Sequence, residues 1–272
     1  MKSFLSYMGG KSLLAKTILP KMPHHRCYVE VFAGAAWMLF KKEEDVSKVE
    51  IINDINLDLV TLYRVLKHHL EEFLRYFKWC VIARDEFERL RKESPETLTD
   101  IQRSARFYYL LKLGYASRIQ SPTFSITTTA KPSLNLLRIE EELSAVHLRL
   151  ARVYIENRPY EEVFNRFDKH DTFFYVDPPY CGYEDCYGPG IFSRGDFEKL
   201  RDILAGISGK FMLSINDVEY IRKLFQGFRI EAVKTSYTAA GAHRKKKADE
   251  LLIMNYEPME INDQDRGRTC RI

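Results

Sequence analysis

Cysteine is scarce in this chain and poorly placed for a structural task. There are five, Cys27, Cys80, Cys181, Cys186 and Cys270, an odd number with no C-x-x-C pair. Scattered cysteines argue against a disulfide framework or a structural zinc site and fit a reduced compartment. Long apolar runs are missing too. None reaches membrane-spanning length, and the N-terminus lacks the basic-then-apolar form of a secretory signal. A cytoplasmic protein with no metal and no membrane association is expected. Internal repeats and low-complexity tracts are absent. Strong charge of one sign is also lacking: a net charge of +4 permits a nucleic-acid partner without demanding one. What remains is ample apolar material. With 272 residues, 45% of them hydrophobic, 17 Phe and 16 Tyr, the chain can bury one full α/β core and a smaller lobe.

One glycine is conspicuously missing. The stretch SYMGGKSLL, residues 6 to 14, looks like a loop that wraps a phosphate. The triphosphate-binding pattern needs a glycine five residues before Gly10, and Leu5 stands there instead. Only four residues precede Leu5, too few for the strand that normally leads in. Another ligand has to be sought for this turn.

Strands alternate with helices at both ends of the chain. CYVEVFAGAAWMLF (27 to 40) reads as strand, tight turn and helix. KVEIINDIN (48 to 56) reads as a strand ending in Asn53-Asp54, before a helix pattern from Leu57 to about Tyr76. The rhythm resumes with VYIEN (153 to 157), helix PYEEVFNRF, strand TFFYVDPPY (172 to 180), helix DFEKLRDIL, strand KFMLSIN (210 to 216) and helix VEYIRKLF. FRIEAVKTSY and DELLIMNYE can pair as an antiparallel end. Such alternation implies a doubly wound, mostly parallel α/β sheet, with ligands at the carboxyl ends of the strands. Residues 71 to 150 break the pattern and read as a mainly helical insert, interrupted at 117 to 135 by an exposed loop rich in Ser, Thr and Pro. The domain division expected is therefore 1–70 with 151–272, and 71–150.

Asp177-Pro178-Pro179-Tyr180 follows the apolar run Phe173-Phe174-Tyr175-Val176. Two prolines lack backbone donors and fix φ, so the turn is rigid. It holds a carboxylate, free carbonyl acceptors and an aromatic ring together. A flat ring bearing an amino group would suit it. Tyr180 would stack on the ring face while Asp177 and the Pro178 carbonyl accept the amino hydrogens. A strand terminator with an Asp cap and a core Tyr is the plainer alternative.

With these residues in view, the chain resembles the S-adenosylmethionine-dependent DNA adenine-N6 methyltransferases of the bacterial and phage Dam type. The order is the same: Gly-Gly-Lys turn, FAGAA, NDIN, insert, DPPY. The likeness runs over most of residues 4 to 66 and 153 to 256, and is weak across the insert. Two departures stand out: Ala35-Ala36 where relatives often carry more glycine, and Tyr7 where Trp is frequent. Tyr keeps a flat face, and Gly34 keeps the turn. The resemblance implies a Rossmann-like methyltransferase sheet, S-adenosylmethionine as cofactor and Asp177, Pro178 and Tyr180 as catalytic residues. It also implies that Tyr7 and Lys11 contact the methionine side of the cofactor, Lys11 through its carboxylate. Glu30, Phe32, Gly34, Asp54, Asn157 and Asp177 complete that cofactor set. Asp54 is placed for ribose hydroxyls and Asn157 for the adenine. Each has an alternative as a helix cap, with Asn53 then the solvated cap.

The implied substrate is adenine N6 in duplex DNA, flipped out of the helix. An exocyclic amine is a poor nucleophile because its lone pair is delocalised. Hydrogen bonds to Asp177 and the Pro178 carbonyl would favour a pyramidal nitrogen and direct its lone pair at the methyl carbon. His243 to Lys247, with Arg244, Lys245, Lys246 and Lys247, reads as a loop gripping phosphates or as a solvated turn. Arg118 and Lys131 in the insert are further DNA-contact candidates. Cys181 and Cys186 flank a Gly- and Pro-rich lid. Cytosine N4, RNA adenine, a protein amide, or an inactive DNA-binding relative remain as alternatives. A monomer or weak dimer, bacterial or phage-encoded, is the expected setting, with a cognate restriction enzyme as a companion that is not required.

Overall fold

The computed structural model describes residues 3–5, 11, 14–115, 121–184, 188, 190–237 and 246–258, and of 235–237 and 246–249 the backbone alone. The amino-terminal part runs α1 (Ala15–Ile18), β1 (Cys27–Glu30), α2 (Trp37–Lys41), β2 (Val49–Asn53) and α3 (Leu57–His68). Four helices follow: α4 (Leu70–Phe77), α5 (Arg84–Lys92), α6 (Asp100–Leu113) and α7 (Ile139–Leu150). The α/β rhythm then returns with β3 (Val153–Glu156), α8 (Tyr160–Phe167), β4 (Thr172–Val176), α9 (Arg194–Gly206) and β5 (Lys210–Asn216). It closes with α10 (Glu219–Leu224), β6 (Arg229–Tyr237) and β7 (Lys246–Met254).

The seven strands form one sheet in the order β3-β2-β1-β4-β5-β7-β6. The first five are parallel, and β7 is antiparallel to both β5 and β6. This is the doubly wound sheet with an antiparallel end expected from the sequence. The strand order reverses between β1 and β4. Their carboxyl ends therefore form the crevice where such sheets bind ligands.

Alternation along the strands feeds two cores. Tyr28, Ile52, Phe173, Tyr175 and Met212 face the helices α2, α3, α6 and α7. Val29, Ile51, Phe174, Val176 and Leu213 face α8, α9 and α10. β4 is buried at all five positions, which is why TFFYV has no polar alternation to read. The first core continues without a break into the segment expected as an insert. Phe73 and Phe77 meet Tyr108 edge-on, with centroids 5.7 and 5.5 Å apart.

Helix starts follow local chemistry. The Asn56 side chain accepts from Asp58 N and Leu59 N at the head of α3. Thr99 and Gln102 form a reciprocal capping box on α6. Each such cap is worth about 1 kcal/mol.

Three details depart from the sequence reading. The helix expected from Leu57 to about Tyr76 is broken at His69, whose φ of −137° and ψ of 39° lie outside the helical well. The change of axis lets Phe73 and Phe77 reach α6. The basic run is not all loop: Lys246 and Lys247 open β7, paired with Tyr237 and Ser236, because the hairpin ladder extends through them. Finally, VYIEN ends as a strand at Glu156, leaving Asn157 to other work. Residues 121–135 do run largely without helix or strand, pinned by buried Phe124 and Leu134. Among the described residues no helix is long and apolar enough to cross a membrane.

Candidate active site

The carboxyl end of β1 is drawn into a turn by its neighbours. Val31 N bonds Tyr175 O at 3.0 Å and Ala33 N bonds Asn53 O at 2.8 Å, so the chain stays in the sheet until Gly34. Gly34 takes φ 49° and turns its N–H onto Asp54 Oδ2 at 2.8 Å, while its carbonyl accepts from Tyr63 OH at 2.7 Å. Ala36 also sits at a left-handed φ of 48°, just before α2. Glu30 ends β1 only 2% exposed. Its carboxylate accepts from Tyr28 OH at 2.9 Å and from Leu39 N at 3.0 Å. Burial outweighs these donors and pushes the Glu30 carboxyl up to about 8.

Asparagines lock the end of β2. Asn53 is 2% exposed; its amide donates to Val31 O at 3.0 Å and Arg158 O at 3.1 Å and accepts from Arg158 N at 2.9 Å. Asn157 donates to Asp54 O at 2.7 Å and Ile55 O at 3.1 Å. Asp54, held by Gly34 N and by Asn56 N at 2.9 Å, presents the rest of its carboxylate to the crevice. Burial raises its pKa above the usual carboxylate value.

At the end of β4, Asp177 meets Lys11 Nζ at 3.1 Å. Lys11, 2% exposed, also bonds Glu250 and the Tyr180 hydroxyl, and lies over the Tyr180 ring at 4.5 Å from its centroid. Tyr180 OH in turn donates to Glu250 Oε1 at 3.0 Å, and Ser214 Oγ donates to the same oxygen at 2.5 Å. One cation thus serves two carboxylates. Desolvation, opposed by Lys11 and reinforced by Glu250, lifts the Asp177 carboxyl to about 7.

These three strand ends wall a cavity of about 490 Å³. Glu30, Asp54 and Asp177 supply carboxylates, and Phe32, Tyr160 and Phe192 supply rings, with the Phe32 centroid 5.6 and 6.0 Å from the other two. The volume and composition suit an adenosine with a cationic, hydroxyl-rich extension: aromatic surface for a base, an acid for a diol, acids for positive charge. A second hollow, of about 680 Å³, lies among α4, α5 and α6 and touches no strand end.

Comparison with known proteins agrees with this geometry. Residues 7–239 match the model of the D12 class N6 adenine-specific DNA methyltransferases. The chain belongs to that family. It is 28% identical to the type II methyltransferase M.MjaIII of Methanocaldococcus jannaschii, over 94% of this chain and 99% of that protein. The type II methyltransferase M.CviBI of Paramecium bursaria Chlorella virus NC1A is 24% identical, over 94% and 100%. The DNA adenine methylase of Escherichia coli K12 is 26% identical, over 94% and 96%. The chain is thus an adenine-specific DNA methyltransferase, and the choice of amino group left open by the sequence falls to adenine N6.

In this D12 methyltransferase the sequence candidates fall into three groups. Lys11, Glu30, Phe32, Gly34, Asp54 and Asp177 converge on the cavity. Pro178 is buried behind Asp177, and Tyr180 packs beside it against Lys11. Asn157 lies apart from the cavity wall, its amide committed to the Asp54-Ile55 backbone; it caps no helix either, since Pro159 holds the cap position of α8. Neither Asn53 nor Asp54 has the role of a helix cap: Asn56 caps α3, and Asn53 is a buried clamp. Lys131 is exposed on the 121–135 loop. Tyr7, Arg118, Arg244, Lys245 and Cys186 lie outside the described residues, and Lys246 and Lys247 are described by their backbone alone. Sequence reasoning missed Tyr160, Phe192 and above all Glu250. An acid set directly against the apolar run Leu251–Met254, second of the pair Asp249-Glu250, was the available signal, because a buried carboxylate needs partners.

Proposed function

We propose that this methyltransferase binds S-adenosylmethionine in the 490 Å³ cavity and methylates adenine N6 within a specific sequence of duplex DNA, flipping the target base. The observation that carries this reading is the position of Asp177, on the cavity wall and against the Lys11–Tyr180–Glu250 cluster. Its carboxylate can face both a cofactor in the cavity and a base held by the DPPY turn. When bound, the cofactor supplies a methyl group already activated on a sulfonium.

The chain's own residues supply position and charge. Glu30 and Asp54 would hold the cationic and diol parts of the cofactor, and Phe32, Tyr160 and Phe192 its base. Asp177 and the Pro178 carbonyl accept hydrogen bonds from the adenine amino group and orient the nitrogen. With a carboxyl near 7, Asp177 is also suited to take the amine's surplus proton near neutral pH. Stacking on Tyr180, about 1–3 kcal/mol per base, offsets part of a flipping cost of roughly a few kcal/mol. Residues 71–150 would serve target recognition. Support comes from the exposed 121–135 loop carrying Lys131, anchored by Phe124 and Leu134. The 244–247 run supplies phosphate contacts.

Methylation of a defined duplex library with labelled cofactor, followed by mapping of modified bases, tests the proposal. Label confined to adenine in one short sequence context is expected. Label on cytosine, or on adenines regardless of context, would overturn it.

A further inference from the structure

We propose that Glu250 is a positioning residue for the methyl-transfer site, whose buried carboxylate holds Lys11 and Tyr180 in place and keeps Lys11 from fully neutralising Asp177. The inference rests on the reading of Asp177 as the acceptor of the target amine.

Glu250 has the burial of a core residue and the partners of a site residue. It is 1% exposed on a strand whose next four residues, Leu251 to Met254, are all apolar and fully buried. Three donors converge on its Oε1: Lys11 Nζ, Tyr180 OH at 3.0 Å and Ser214 Oγ at 2.5 Å. They come from the amino-terminal segment, the DPPY turn and β5. No packing requirement places a carboxylate there. An apolar residue of similar volume would satisfy the core, and replacing buried ion pairs in this way is often neutral or stabilising. What the carboxylate does is tie the two chain segments that flank Asp177 to a single oxygen.

The electrostatics follow from the same contacts. Asp177 is faced by Lys11 from the amino-terminal segment, Glu250 from β7, Glu30 from β1, and Tyr175 and Tyr180 from its own strand and turn. Among these groups Lys11 alone carries positive charge. Paired with Asp177 only, a buried lysine would hold the carboxylate ionised and tightly engaged, a weak acceptor for an incoming amine. Shared with Glu250, the same lysine leaves Asp177 basic, and Glu250 adds its own repulsion.

The test separates charge from geometry. In Glu250→Gln, titration of the Asp177 carboxyl carbon by NMR in labelled protein is expected to shift to lower pH, on the order of one unit. The acid limb of the single-turnover pH–rate profile is expected to follow it. In Glu250→Asp the charge is kept while the oxygen is withdrawn from Lys11 and Tyr180. There the limb is expected to move less than in Glu250→Gln, while kcat falls about tenfold or more and KM for DNA changes little. An Asp177 titration unmoved in Glu250→Gln, or an unchanged kcat in Glu250→Asp, overturns the proposal. A titration that moves while the rate profile does not would uphold the positioning and overturn the reading of Asp177 as the proton acceptor. Should Glu250→Gln not fold, the aspartate variant decides alone.

Discussion

Glu30 and Glu50 lie on neighbouring parallel strands, are 2% and 6% exposed, and are handled in opposite ways. Glu50, near the amino end of β2, is gripped by Arg149 at 2.5 and 2.8 Å and by Lys42 at 2.5 Å. Arg149 also donates to Leu39 O at 3.0 Å, so this pair ties α7, β2 and α2 together. Glu30, at the carboxyl end of β1, has a tyrosine hydroxyl and a backbone N–H and, among the described residues, no cation paired with it. The sheet neutralises a buried acid where it needs cohesion and leaves one under-compensated where it faces the cavity. The cluster at Asp177 repeats the second solution, with one lysine between two carboxylates. Raised carboxyl pKa values gather at the strand ends for this reason, as at other functional sites.

Breaking each side of this contrast has different consequences. Arg149→Met should cost about 3 kcal/mol in urea unfolding, the low end for a broken buried pair because Lys42 still serves Glu50. The transfer rate of the folded fraction should hold. A loss below about 1 kcal/mol would show that the Glu50 pair is not the tie it looks like.

Glu30→Gln should behave in the reverse sense. The folded carboxyl is raised from 4.5 to about 8, so the folded state keeps a proton that the unfolded chain releases. Its contribution to stability is complete below pH 4.5 and is lost as pH rises through about 8. Glutamine has no proton to lose. Urea midpoints at pH 5, 7 and 9 should therefore move in favour of Glu30→Gln as pH rises. A difference that stays flat across that range would place Glu30 with Glu50.

Replacing Lys245, Lys246 and Lys247 together with Ala should weaken target and scrambled duplexes by similar factors, since binding to phosphates carries no sequence information. The slope of log affinity against log salt should shrink by about 0.9 for each phosphate that the variant leaves unneutralised. An unaltered slope would move the DNA face to the helical segment.

The smallest effect is expected at Ala36. Its φ of 48° and ψ of 44° place a non-glycine residue in the left-handed well, at a cost of about 1–2 kcal/mol. Ala36→Gly removes that cost and adds backbone entropy to the unfolded chain of roughly 0.5–1 kcal/mol. A net gain between zero and about 1.5 kcal/mol should appear in thermal melts, and a decrease would mean the methyl group's packing dominates.

What could be read from sequence was local. The strands showed as runs of β-branched and aromatic residues. The DPPY turn showed through its prolines, and the β1 turn through Gly34. The alternation of helices and strands implied a mostly parallel sheet with ligands at its carboxyl ends, whereas the strand order and its reversal between β1 and β4 came from the structure. The parts that stayed hidden depend on pairings between distant residues. Lys11 and Glu250 are 239 residues apart, and no local pattern announces that one lysine will serve both Glu250 and Asp177. Asn53 and Asn157 looked like cap or ligand residues because asparagine at a strand end usually is one or the other. Their amides instead satisfy backbone carbonyls across 22 to 105 residues of chain. The break at His69 was equally silent, since no proline or glycine marks it; it is seen only in the backbone angles and in the contacts of Phe73 and Phe77 with Tyr108 on α6.

The central claim is that Asp177 acts on the target amine while its neighbours at the other strand ends hold the cofactor. Asp177→Ala, measured for both cofactor affinity and single-turnover transfer to duplex DNA, tests it most directly. The expected result is cofactor binding within about tenfold of the unaltered protein and a transfer rate lower by roughly 10²–10⁴ or more. A near-normal rate, or a decline explained wholly by failure to bind the cofactor, would contradict it.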